Sequence, residues 1–138
     1  AGLLSAATIG SVEKPSSEPL EPCMQPELAP LKDIATAAER IVRFVQGIDY
    51  AAFLANEEKQ SAVFGQIIII GEAANRLPAA FRAAHFEVPW PKMIGMRNRI
   101  VHGYDEIDWD IVWQVAVDEL PELIGLLGPL LPPEEDER

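Results

Sequence analysis

Cysteine is almost absent, with Cys23 alone in 138 residues. No disulfide framework can form within one chain, and a reducing, cytoplasmic setting fits best. Histidine is nearly as scarce. His85 and His102 cannot build a zinc site without help from carboxylates, so neither a metal nor a cofactor is expected. Aromatic residues make up 7% of the chain, which leaves most of the packing to aliphatic side chains. Long hydrophobic runs are missing as well. The strongest apolar stretch, Ile67 to Ile70, falls far short of the roughly 20 residues that cross a bilayer. Positive charge is the last deficit: 11 Lys and Arg stand against 22 Asp and Glu, a net charge of −11. Such a chain stays soluble and repels nucleic acid at long range, so any nucleic-acid contact needs a local basic patch.

Apolar residues, by contrast, are plentiful at 49%, enough for one folded domain at this length. Residues 1–29 are rich in Pro, Ser, Gly and Glu without any period, and read as a flexible arm. The opening segment, Ala1 to Gly10, lacks the basic start of a signal peptide, and the chain begins without Met. A processed or appended start is the expectation, and this segment is set aside from fold reasoning. Residues 30–131 carry the helical pattern, and 132–138 form a short acidic tail.

The period within 30–131 is helical throughout. Leu31, Ile34, Ala38, Ile41, Val42, Val45 and Ile48 recur at intervals of three and four, with Gly47 as a stop signal. A connector with a short turn follows over Asp49 to Asn56. A second long helix is predicted from Glu57 to Leu77, with Val63, Phe64, Ile67, Ile70, Gly71 and Ala74 as its stripe. The run Ile67 to Ile70 competes as a strand. Its Glu-, Ala- and Gln-rich flanks and the lack of bounding turns favour helix. An apolar turn all around the cylinder suggests burial on two sides, one of them against a second subunit. A short helix over Pro78 to His85 precedes Val88-Pro89-Trp90-Pro91, with Pro91 opening a helix over Lys92 to Val101 that ends at Gly103. Asp108 caps a last helix over Trp109 to Leu127, with Ile111 or Val112, Val115, Leu120, Leu123 and Leu127 inward and a kink or new start at Pro121. The expected fold is all-α, an up-and-down bundle of four to five helices.

The stretch from Lys92 to Tyr104 carries the chemistry. Lys92, Arg97 and Arg99 occur with no acidic residue between Lys92 and His102, a positive island in an acidic chain. His102 at its end suits proton transfer near neutral pH. Asn98 and His102, four apart, share a helix face. Arg97 and His102, five apart, diverge by about 140° on an ideal helix. Three routes to a joint site stay open: the reach of the Arg97 side chain, unwinding at Gly103, or a two-fold dimer that pairs two such segments. An arginine fork matches phosphate oxygens. A neutral imidazole could take the proton of a ribose 2′-hydroxyl, whose oxygen would attack the adjacent phosphorus while Arg97 stabilises the growing charge. No metal is needed, and the substrate must be RNA.

Arg97-x-x-x-x-His102-x-Tyr104 resembles the signature of the HEPN superfamily, in the branch of HepT-like toxins that pair with a minimal nucleotidyltransferase antitoxin. The blocks Leu31-Lys32-Asp33-Ile34, Ile69-Ile70-Gly71-Glu72-Ala73, Val88-Pro89-Trp90, Met96 to Tyr104 and Asp108 to Trp113 resemble that branch in the same order, over about residues 31 to 131. The resemblance implies a helical bundle forming a homodimer, with the motif at the dimer cleft. It implies a metal-independent endoribonuclease that stops growth, with Arg97 and His102 catalytic and Asn98 in support. Arg99 and Lys92 are the candidate RNA-phosphate contacts, and no membrane is involved. Tyr104 would correspond to the tyrosine that the partner enzyme modifies with AMP in some members, blocking the site by charge and bulk. The arm over residues 1 to about 28 has no counterpart in the family pattern.

Each residue also has a plainer role. An arginine pair on a helix is commonly a solvated face. A histidine before glycine at a helix end is often a favourable charge at the C-terminus, and a lone tyrosine is usually packing. His85 reads as a surface residue near a helix end. Glu72, beside the isoleucine run, either pairs with a basic group across the dimer or lines the cleft. The acids after the motif, Asp105, Glu106, Asp108, Asp110, Asp118, Glu119 and Glu122, would weaken steering of RNA. Three readings follow: a substrate held elsewhere, such as in a ribosome or tRNA; a site that has lost cleavage and binds a nucleotide; or an acidic surface for a basic protein partner. The alternative to a toxin ribonuclease is therefore a non-catalytic helical dimer that binds a nucleotide or a nucleotidyltransferase.

Overall fold

The computed structural model describes residues 25–133. Most of the arm expected over residues 1–29, and the tail beyond 133, lie outside the described residues. The first helix, α1 (Leu28–Val45), buries Leu31, Ile34, Ala38, Ile41 and Val45 on one face. It begins before the last of the prolines. Pro30 sits in the first turn, where its missing N–H costs nothing, and its ring is buried. The helix stops at Val45, and Gly47 follows at φ +80°, a left-handed conformation that favours glycine.

The connector contains a short helix, α2 (Tyr50–Leu54), capped by Asp49, whose Oδ1 accepts from the Ala52 N–H at 2.9 Å. Phe53 is fully buried between Trp109 and Trp113, with ring centroids at 5.7 and 5.4 Å. Tyr50 also packs on Trp113, and hydrogen bonding to the Asp110 carboxylate pushes its phenol up to about 12. This short turn therefore clips the connector to the helix that opens at Trp109.

The long helix α3 (Glu57–Arg76) starts at Asn56, whose Oδ1 accepts from the Lys59 N–H at 3.0 Å. Glu57 and Glu58 lie in its first turn and Arg76 in its last, both favourable to the helix dipole. The isoleucine run is helical, as its flanks predict. Its burial is one-sided within the chain: Ile67 and Ile70 are buried, whereas Ile69 is 38% exposed. A short helix, α4 (Ala79–Ala84), leads to α5 (Trp90–His102), with Pro91 in the first turn. Buried Trp90 anchors that turn by donating from Nε1 to the His85 carbonyl at 2.9 Å. His85 itself ends α4, with Nδ1 3.7 Å from Glu87.

After a 3₁₀ turn at Tyr104–Glu106, the chain forms α6 (Trp109–Gln114), a π turn (Val115–Glu119) and α7 (Leu120–Leu127). Pro121 cannot donate a helical bond, and it falls in the first turn of α7, a new start reached through the wider turn. The π turn also moves the buried stripe. Val112 is buried and Ile111 is 43% exposed, and Ala116 takes the inward place expected of Val115. Among the described residues there is no strand, and no helix long and apolar enough to cross a membrane.

The protein is an all-helical bundle. α3 packs between α1 and α5, and α7 lies against α1. α5 meets α6 and α7 only sparsely, leaving an apolar groove of about 310 Å³ between them. α3 and α5 meet tightly at Gly71. A Cβ on Gly71 would stand 2.2 Å from the Arg97 Cβ and 2.9 Å from the Met93 carbonyl oxygen. No side chain fits there unless the helices separate. Gly65, two turns earlier in α3, has nothing within 4 Å.

The two glycines should therefore respond oppositely to alanine. Gly71→Ala is expected to destabilise by about 1–3 kcal/mol, the usual scale of overpacking. Gly65→Ala should stabilise by about 0.5–1 kcal/mol through helix propensity alone. Chemical denaturation of both variants beside the wild type checks the pair. A stabilised Gly71→Ala would show that α3 and α5 do not pack as described.

Candidate functional site

α5 carries every residue singled out by the motif except Tyr104, which follows in the 3₁₀ turn. The helix runs unbroken to His102. The Gly103 N–H still closes on the Arg99 carbonyl at 2.9 Å, so the unwinding considered for Gly103 does not turn His102. The offset of about 140° between Arg97 and His102 is therefore kept. Arg97 turns inward towards α3. His102 is exposed at the helix end, with no hydrogen bond or ion pair to another described residue.

Arg97 is held on several sides. Its Cβ and Cγ pack against Gly71. Nη1 donates to Asn98 Oδ1 at 2.8 Å, and Nη2 donates to Glu72 Oε2 at 3.3 Å. Nε is buried without a hydrogen-bond partner. The side chain is 30% exposed and opens on a polar groove of about 360 Å³, lined by Gly71, Glu72, Asn75, Arg76, Ile94, Arg97 and Asn98. Arg76, at the same groove, is paired with Asp33 at 2.9 Å.

The positive island of the sequence does not persist in space. Lys92, at the start of α5, pairs with Glu119 at 2.6 Å, about 15 Å along the helix from His102. Arg99 is two residues from Arg97, about 200° around the helix, and lines the apolar groove facing α6 and α7 with Met96 and Ile111. The structure thus brings together Arg97 and Asn98. It sets His102 beyond them, Arg99 on the opposite face and Lys92 at the other end. Among the described residues, no three His, Cys, Asp or Glu side chains converge on a metal position.

Sequence reasoning left the role of Glu72 open and did not single out Asn75 or Arg76. Glu72 pairs with Arg97 within its own chain. The available signal was the pair Gly71-Glu72 at the edge of the α3 stripe. A glycine inside an apolar face often marks close helix contact, and the next residue then borders whatever the contact holds.

A family model described as Ribonuclease HepT-like matches residues 34–128, a span that includes Arg97, His102 and Tyr104. The chain is 37% identical over 95 residues to the "Probable ribonuclease HepT" of Thermococcus cleftensis, covering 69% of this chain and 86% of that protein. It is 34% identical over 93 residues to a "Putative RNase" of Methanocaldococcus jannaschii, covering 67% and 85% of the two chains. The same identity over 93 residues relates it to a "Putative RNase" of Caldanaerobacter subterraneus, covering 67% and 83%. No solved structure matches the chain. Helical bundle, motif and relatives agree, and the chain belongs to the HepT-like ribonuclease family.

Proposed function

We propose that this protein is the toxin of a toxin–antitoxin pair, a metal-independent endoribonuclease of the cytoplasm in which Arg97 binds the scissile phosphate and His102 moves the proton. The observation that carries this is the state of the two side chains. Arg97 is fastened by Asn98 and by Gly71 with its guanidinium edge towards an open groove, and His102 stands exposed on the same helix. Neutral His102 takes the proton from a 2′-hydroxyl. The O2′ atom then attacks the neighbouring phosphorus, and the P–O5′ bond breaks as O5′ takes a proton from water, leaving a 2′,3′-cyclic phosphate and a 5′-hydroxyl, after which His102 returns its proton to solvent. Arg97 stabilises the charge on the phosphoryl oxygens through the reaction.

The offset between Arg97 and His102 supports a composite site across a two-fold homodimer, where one chain's arginine and the other's histidine face one phosphate. Ile69 lies one turn before Glu72 on α3, and Val101 one turn after Asn98 on α5. Both are exposed, at 38% and 45%, and would be covered in such a dimer. A nucleotidyltransferase-type antitoxin would silence the site by placing AMP on Tyr104, which follows His102 by two residues. Arg99 and Lys92 remain as outlying phosphate contacts on the rest of α5. One observation favours the second reading, a non-catalytic dimer that binds a nucleotide or the nucleotidyltransferase: Arg97 already has a carboxylate partner in Glu72.

Induction of the wild type is expected to arrest growth with RNA breakdown. The purified protein should cut RNA in the presence of a chelator. His102→Ala and Arg97→Ala should each lower the cleavage rate by about 10²- to 10³-fold without unfolding the protein. Toxicity and cleavage that survive His102→Ala would sink the ribonuclease reading, and no arrest from the wild type would favour the binding module.

Co-expression with the nucleotidyltransferase should raise the intact mass in steps of one AMP, and Tyr104→Phe should remove the gain. An unchanged wild-type mass beside an active partner would reject Tyr104 as the acceptor.

A further inference from the structure

The donors of Arg97 are unevenly used. Nη1 is satisfied by Asn98. The side-on edge made by Nε and Nη2 is the one that a phosphate or carboxylate would normally grip with both oxygens. Glu72 meets this edge with one oxygen, at 3.3 Å from Nη2, while Nε stays buried with no partner. That distance is long for a charge-assisted bond, which usually lies near 2.7–2.9 Å. Gly71 closes the other side of Arg97 at its Cβ and Cγ. The groove beside this edge is lined by Glu72 itself, so an anion that enters it meets the carboxylate there.

We propose that Glu72 is a selectivity residue of this site: its carboxylate covers the Arg97 edge that a substrate phosphate must take, and RNA binds by displacing it. This rests on the reading of Arg97 as the phosphate contact. The displaced carboxylate has somewhere to go. Glu72 is 50% exposed, and Arg76 lies one turn further along α3 and lines the same groove. Glu72 and Arg76 stand at i and i+4 with the acid nearer the N-terminus, the favourable order for a helical ion pair. Arg76 now holds Asp33, so the exchange trades one half-exposed pair for another. A lone phosphate gains little over the carboxylate it evicts. An RNA anchored by further contacts gains more, and the site favours such substrates over stray polyanions.

A labelled single-stranded DNA oligonucleotide is the first probe, because it carries phosphates and has no 2′-hydroxyl to cleave. Fluorescence anisotropy compares the full-length wild type with Glu72→Gln, Arg97→Gln and the double variant. Glu72→Ala is the second replacement, should Glu72→Gln not fold. Removing the carboxylate charge is expected to tighten binding about fivefold, the scale of a half-exposed ion pair. The gain should vanish in the Arg97→Gln background, and the KM for RNA cleavage should fall by a similar factor. Equal affinity of wild type and Glu72→Gln would overturn the proposal. So would a gain that persists without Arg97, which would report net charge alone. A loss of kcat with affinity and KM unmoved would make Glu72 a mere brace for Arg97, and would also overturn it. If no variant cleaves RNA but the Arg97-dependent gain appears, the ribonuclease reading fails and the role of Glu72 stands.

Discussion

Where Gly71 of α3 meets Arg97 of α5, the helices approach until a helix backbone rests against the root of a charged side chain. Most of the functional geometry descends from that contact. Helix axes commonly pack 8–10 Å apart according to the side chains between them, and a glycine permits the near end of this range. The closeness turns Arg97 along the α3 surface, where the residue after Gly71, Glu72, accepts from its guanidinium. It also shields Nε from water. A larger residue at position 71 would part the helices and release Arg97 into solvent, where a flexible arginine has little preference for one phosphate.

The same constraint bears on how an acidic chain could hold the phosphate proposed for Arg97. The sequence places Lys92, Arg97 and Arg99 in one run without acids, yet in space they part. Lys92 is neutralised by Glu119, Arg99 faces the apolar groove beside α6, and Arg97 is matched by Glu72. These three side chains form no joint positive surface to draw in polyanions from a distance, in keeping with a net charge of −11. What remains is short-ranged: one guanidinium, held in place, with an incompletely bonded edge. A site of this kind depends on contacts made elsewhere to deliver its substrate, which suits a structured RNA better than a random polyanion.

Much of the bundle was legible because helices write their burial into a period of 3.6 residues. Ile34, Ala38, Ile41 and Val45 could face inward together in no other regular structure. Asp108 betrayed a helix start by its capping chemistry and Gly47 marked a stop, whereas the caps at Asp49 and Asn56 emerged only in the structure. The π turn was not legible. Pro121 announced a break, but whether a helix answers a proline by kinking or by widening one turn depends on what its neighbours need buried. That choice moved the inward place from Val115 to Ala116. Within the site, Arg97, Asn98 and His102 could be named from residue type and spacing. The partner of Glu72 could not, because it is set by the crossing of two helices and lies 25 residues away in sequence. The isoleucine run was legible in part: its core side, Ile67 and Ile70, is buried in the chain, and its second side is the one expected against another subunit. Ile69 faces outward beside the Arg97 groove.

That outward face bears on the two-fold dimer proposed for this chain. A straight α5 cannot place Arg97 and His102 on one side, and the hydrogen bond from Gly103 to Arg99 keeps it straight to its last residue. Within a single chain, the proposed phosphate contact, Arg97, and the proposed proton acceptor, His102, look in different directions. A two-fold axis near the groove would convert this divergence into convergence, because rotation carries the histidine of one copy to the side of the other's arginine. Ile69 and Val101 would then supply apolar contact around a polar centre, the arrangement that lets an interface exclude water from the charges it surrounds. On this reading the tight crossing at Gly71 has a second consequence. It lets α3 and α5 present a common, shallow face, so that a second copy could seat against both helices at once.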